Sequence, residues 1–274
     1  MTVTAMEAVL KRDRLVVFAS LALLGVLAWV WLCRLSGEMD GMKAPAMHMP
    51  GMEGMPGNSM GADDASTVAA EFFLIALMWI VMMVGMMLPS AAPTILLVSA
   101  LERKRAATSP VFGRTLSFVA GYFFVWGTFS LAAAAAQTTL SRAELLSPQM
   151  ATTSAILGGA IFVFAGLYEF TPLKDRCLSH CRSPLDWITH HWRRGVFGAL
   201  RMGVGHGIYC VGCCWVLMLL LFAGGVMNLL WVAAIAAIVL VQKLLPGGPI
   251  AARVAGVGLI VWGLVLIVRP FGTN

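Results

Sequence analysis

An all-α, polytopic membrane protein is the fold class this sequence predicts, and three observations carry the prediction. Only 12% of its 274 residues are charged while 59% are hydrophobic, whereas soluble domains carry about a quarter charged residues. Apolar runs long enough to cross ~30 Å of hydrocarbon recur about seven times, and only helices or closed barrels satisfy their backbone there. The basic residues gather in alternate connecting segments.

The expected spans are, in order, 15–33, 69–100, 115–137, 151–170, 197–223, 229–245 and 250–268. The first follows Lys11, Arg12 and Arg14 as a signal peptide would. Its apolar run is too long for a signal core and ends at Cys33 and Arg34 without a small-residue cleavage site, so it reads as a retained anchor. The second contains Pro89 and Pro93 and is expected to be interrupted there. A PGGP turn at 246–249 separates the last two. The chain thus divides into an anchor (1–33), a polar segment rich in Met, Gly and Pro (34–68) and a helical membrane domain (69–274). Residues 171–196 form a long basic loop of that domain.

Charge fixes the expected orientation. With the N-terminus inside, fifteen of the nineteen Lys and Arg residues fall on inner segments and only Arg34, Lys43, Arg142 and Arg269 on outer ones. The positive-inside rule then gives seven spans, N-in and C-out. It also explains the net charge of +6 without a nucleic-acid partner. The expected surroundings are a lipid bilayer.

The six cysteines make no secreted disulfide framework. Three of them lie in one apolar run, RMGVGHGIYCVGCCWVLMLLLFAGG, together with a histidine. On a helix, Cys210 lies about 40°, Cys213 about 20° and Cys214 about 80° around from His206, so imidazole and thiols share one face. Nitrogen plus thiolate suits Cu(I) and also Zn(II), and an ionisable group inside a span is by default a functional-site hypothesis. The plainer alternative is packing, since Gly203 and Gly207 make a GxxxG pattern and cysteine is small. Cys210 and Cys213 also form a CxxC, the spacing of thiol–disulfide exchange sites.

Thioethers add to the soft-donor inventory. Span 2 carries Met78, Met82 and Met86 at four-residue steps, with Met83 and Met87 as a second row, so each row lies along one helix face. Methionine is also an adaptable core filler. The polar segment holds Met47, His48, Met49, Met52, Met55 and Met60 in a Gly/Pro background. With little else apolar to pack against, these read as a Cu(I) capture arm on the outer face rather than as a linker with incidental methionines.

The basic loop offers Cys177 and Cys181 around His180, with His190 and His191 beyond, as a second soft-metal site at the inner face. A basic loop lying on anionic headgroups is the alternative. Glu169, Gln242 and Lys243 fall near span ends and are expected at the membrane interface. No phosphate-binding glycine loop and no Ser/His/Asp arrangement is present, which argues against an enzyme.

Three stretches, MWIVMMVGMMLPSAAP in span 2, LYEFTPLKDRCLSHCRSP after span 4 and MGVGHGIYCVGCCWVLMLLLFAGGVMNL in span 5, resemble one bacterial family. It is a domain-of-unknown-function family described as predicted metal-binding integral membrane proteins, and the resemblance covers about 69–250. It implies an inner-membrane helical protein that binds metal, with His206, Cys210, Cys213, Cys214, Cys177 and Cys181 at the recurring positions. It further implies Gln where this chain has Glu169, and an acidic residue where it has Gln242 before Lys243.

The functional expectation is a membrane protein that captures, holds or delivers Cu(I), serving a membrane or periplasmic cuproenzyme or forming its accessory subunit. A membrane thiol–disulfide carrier using the CxxC, and a structural subunit packing against other membrane chains, are the alternatives.

Overall fold

The computed structural model describes residues 19–37, 65–105, 111–146 and 154–268, and every regular element among them is a helix. These are α1 (Ala19–Gly37), α2 (Ala65–Arg105), α3 (Val111–Arg142), α4 (Ala155–Tyr168), α5 (Pro172–Arg182), α6 (Pro184–His190), α7 (Gly195–Gly224), α8 (Leu229–Leu244) and α9 (Gly248–Val268). The capture-arm residues Met47, His48, Met49, Met52, Met55 and Met60 lie outside the described residues.

Each of the seven apolar runs falls on a helix. By length and composition α1, α2, α3, α7 and α9 are able to cross a membrane, and α4 joins them only when counted with α5 across a 66° bend. The remaining run, α8, has 16 residues, about 24 Å at 1.5 Å per residue.

Local chemistry sets the helix starts. The Ser154 hydroxyl accepts from the Leu157 amide at α4, and Asn228 Oδ1 accepts from the Trp231 amide at α8. At α5 the Thr171 hydroxyl accepts from the Lys174 amide and Pro172 occupies the first turn, where its missing N–H costs nothing.

Two expectations about local structure are corrected here. Pro89 and Pro93 do not interrupt α2, whose helix continues through both over 41 residues. Each proline still removes the amide donor to the carbonyl four residues back. Residues 171–196 are not a loop either: α5 and α6 occupy most of it. α5 is amphipathic and buries Lys174, Cys177 and Leu178, which is the reason it folds back onto the bundle.

Small residues allow close helix approach. A Cβ on Gly121 would run into the Leu200 carbonyl, and one on Gly203 into the Phe118 carbonyl, so α3 and α7 meet backbone to backbone. On the other side, a Cβ at Gly166 would lie 2.6 Å from the Gly256 carbonyl oxygen and one at Gly263 2.6 Å from that of Gly159. α4 and α9 therefore pack in the same manner. The GxxxG reading of Gly203 and Gly207 is realised: a Cβ at Gly207 would lie 3.1 Å from the Tyr122 carbonyl oxygen.

The periphery is apolar. Phe112, Phe124, Phe197, Leu230, Val254 and Trp262 are all more than half exposed, while several charged and polar groups lie inside. Lys174 is fully buried; its ammonium donates to Glu169 Oε1 at 2.7 Å and to Gln242 Oε1 at 2.8 Å. Gln242 Nε2 donates to Glu169 Oε2 at 2.9 Å and closes the triad. Glu169, Gln242 and Lys243, expected at an interface, are thus buried between helices, because each finds a partner there that water would otherwise supply.

Candidate metal centre

α7 runs through the middle of the bundle and carries the thiols inward. His206, Cys210, Cys213 and Cys214 are each buried to at least 97%. The glycines that bring α3 close lie on the same helix, so close packing does not exclude a ligand role for these side chains.

His206 sits in an aromatic cage, its ring centroid 5.6 Å from Trp187, 5.7 Å from Tyr122 and 6.1 Å from Phe118. Its Nδ1 has no hydrogen-bond partner. A buried polar atom left unpaired costs about 1–3 kcal/mol, which makes this nitrogen a ready donor to an incoming cation. One turn further on, the Tyr122 hydroxyl shares a hydrogen bond with Cys210 Sγ at 3.0 Å.

Cys210 has a second partner that the sequence reading places elsewhere. The Lys243 ammonium, arriving from α8, donates to Cys210 Sγ at 2.9 Å and lies 3.9 Å from Cys214 Sγ and 3.5 Å from Ser90 Oγ. An ammonium in a dry interior requires an anionic or strongly polar partner, and sulfur supplies it.

Cys214 Sγ stands 4.0 Å from Met87 Sδ. Two sulfurs bound at about 2.3 Å to a trigonal metal stand about 4 Å apart, so this separation already matches a shared ion. The thioether comes from the Met83/Met87 row. Met78, Met82 and Met86 are buried on the same helix. No three His, Cys, Asp or Glu side chains among the described residues stand close enough to hold an ion as placed.

The thiols and histidines expected together at the inner face are separated by the helices they sit on. Cys177 and Cys181, four residues apart on α5, both turn towards α7. A Cβ on Gly212 would lie 2.8 Å from Cys177 Sγ, and Cys181 Sγ lies 3.9 Å from Cys213 Sγ. His180 instead stacks on Tyr209 with centroids 4.2 Å apart, and its Nδ1 engages the Arg176 carbonyl. His190 is exposed beside Asp186, and His191 stacks on Trp187. The histidines and thiols of this segment therefore do not form one cluster.

Sequence reasoning missed the contacts of Lys243 and Tyr122 with the thiols, and two buried methionines in line with them. Met202, His206, Cys210, Cys214 and Met218 follow one another at four-residue steps along α7, all buried. This is the rule that singles out the α2 methionines, and extending it one step each way from the His/Cys group finds both. The row spans about 24 Å at 1.5 Å per residue and turns gradually round the helix.

Chemically, two thiols, a thioether and an unpartnered imidazole from two helices, with a cation beside them, can hold a soft monovalent metal. Neutral thioether and imidazole suit Cu(I), and a lysine offsets the thiolate charge. Comparison with curated proteins and with solved structures finds no match. A family profile described as the copper chaperone PpoB2 matches residues 76–266, a range that takes in Met87, both cysteines of α5, the α7 row and Lys243. The chain belongs to the PpoB2 copper chaperone family.

Proposed function

We propose that this protein is an inner-membrane copper chaperone that holds Cu(I) between Cys210 and Cys214 of α7 and Met87 of α2, with His206 as the adjoining donor. The observation that carries this reading is the 4.0 Å approach of Cys214 Sγ to Met87 Sδ, a contact between soft donors of two helices at the spacing a shared ion demands. Membership of a copper chaperone family supports copper over zinc. The apolar periphery and the five long apolar helices support a bilayer location, and the charge bias supports seven spans with the N-terminus inside.

In this reading Cu(I) is cargo. The Met/His arm at 44–60 and the row Met78, Met82 and Met86 are capture and relay donors on the way to the α7 cluster. Lys243 neutralises the complex: two thiolates and one Cu(I) carry a net charge of −1, and the ammonium brings the buried assembly to zero. Such a balance lowers the cost of placing the complex in a low-dielectric interior. The metal then passes to a copper-using membrane or periplasmic protein.

The test is copper analysis of protein purified in detergent after Cu(I) loading. Cys210→Ser and Cys214→Ser should each lose the tightly held ion. His206→Ala should retain it more weakly, and deletion of 44–60 should leave the core ion in place. Unchanged copper content in both cysteine variants would reject the site.

A further inference from the structure

We propose that Cys181 and Cys213 form a redox dithiol that reduces Cu(II) to the Cu(I) held by the neighbouring sulfurs. The proposal rests on reading the α7 cluster as a copper site. The two thiols belong to different helices and stand 3.9 Å apart, so a bond of about 2.05 Å requires them to close by about 2 Å. Their helices are in tight contact beside this point: the space a Cβ on Gly212 would need is taken by Cys177 Sγ at 2.8 Å. Both cysteines are free.

The geometry selects this pair over the CxxC on one helix. Cys213 and Cys214 both turn their S–H groups to the Cys210 carbonyl, at 3.1 and 2.9 Å, whereas the sulfur facing Cys213 from outside α7 is that of Cys181. Cys210 is engaged by Tyr122 and Lys243, and Cys214 by Met87. Cys181 also faces Cys210, but Cys210 already holds Tyr122 and Lys243 as partners, which leaves Cys213 as the thiol opposite Cys181.

Copper that arrives as Cu(II) needs such a step before these donors can hold it. Cu(II) prefers tetragonal nitrogen and oxygen ligands, while thiolate and thioether select Cu(I). Two Cu(II) each accept one electron from the thiol pair. The two S–H bonds break, one S–S bond forms, and the products are two Cu(I), one disulfide and two protons. Cys181 is only partly buried whereas Cys213 is 1% exposed, so an external thiol attacks Cys181 Sγ and releases the Cys213 thiol, and a second external thiol then frees Cys181 from the mixed disulfide and leaves as the external disulfide.

The experiment uses the full chain in detergent, reduced and anaerobic, in a Cys33→Ser background because Cys33 is exposed. Two equivalents of copper(II) sulfate are added, Cu(I) is read with bicinchoninate, and disulfides are mapped by peptide mass spectrometry. The expected result is two Cu(I) per chain with residues 181 and 213 linked. Cys177→Ser should match the parent. Cys181→Ser should give neither the linkage nor the two-electron yield, yet bind copper supplied as Cu(I). Absence of the 181–213 linkage in the parent, linkage of any other pair, or an unchanged Cu(I) yield from Cys181→Ser would overturn the proposal. If the linkage forms and supplied Cu(I) is not retained, the dithiol stands and the binding site falls.

Discussion

The Lys243 ammonium lies 2.9 Å from Cys210 Sγ in a part of the bundle where both groups are almost fully buried. A cation so placed is the outer partner of any metal the thiols bind, and loss of such partners costs about 10–100-fold in metal affinity. Lys243→Met keeps the length and removes the charge. We expect it to weaken Cu(I) binding by about 10–100-fold in a competition titration with a Cu(I) chelator, while the fold is retained. Unchanged affinity would show that the lysine serves packing alone.

Met87 and the other α2 methionines can be separated by conservative exchange. Met87→Leu preserves volume, which cores tolerate at less than about 1.5 kcal/mol, but removes the sulfur facing Cys214. Copper affinity should fall by about tenfold or more, equivalent to at least ~1.4 kcal/mol, with a melting temperature close to that of the parent. Extended X-ray absorption of the copper-loaded variant should show one sulfur scatterer fewer.

The buried Glu169–Lys174–Gln242 triad predicts a compensating pair of substitutions. Glu169→Gln leaves the Lys174 ammonium without its carboxylate, and breaking a buried pair costs about 3–5 kcal/mol. Because Gln242 touches both partners, the double variant Glu169→Gln with Gln242→Glu returns a carboxylate to the lysine from the other side. A double-mutant cycle on thermal unfolding in detergent should give a large positive coupling; simple additivity would contradict it. The family resemblance implies this same exchange of Gln and acid at the two positions, so the two departures noted in the sequence become one once they are seen in contact.

Two glycines give opposite expectations. Gly203→Ala drives a methyl group into the Phe118 carbonyl on α3 and should destabilise the protein by about 1–3 kcal/mol, with impaired copper binding as α7 shifts. Gly127→Ala, on α3 with nothing within 4 Å of its added Cβ, should be neutral or stabilising by up to about 1 kcal/mol. Melting temperatures of the two variants measured side by side decide this.

Much of the architecture is legible in the sequence because hydrocarbon length and backbone satisfaction leave few choices: every apolar run expected to span is a helix. The candidate site is half legible. Periodicity alone brings His206, Cys210 and Cys214 to one face of α7, and the same arithmetic finds Met202 and Met218. Lys243 was hidden because a lysine near a helix end is ordinarily read as snorkelling to the headgroups; only tertiary packing turns it inward. The choice of Met87 depends on how α2 sits against α7, which no single-helix periodicity determines. The α5 thiols were misread as loop residues, since 171–196 is too polar to resemble a span and its capped, amphipathic helix shows only once it is docked.

Arg182, the residue after Cys181, reaches across to α8. Its guanidinium engages the carbonyls of Gln242, Leu245 and Pro246, just past the lysine that faces the thiols. The turn between α8 and α9 and the sulfur-bearing end of α5 are thereby tied to one another. Any movement of that turn is therefore transmitted both to the end of α8 that carries Lys243 and to the end of α5 that carries Cys181.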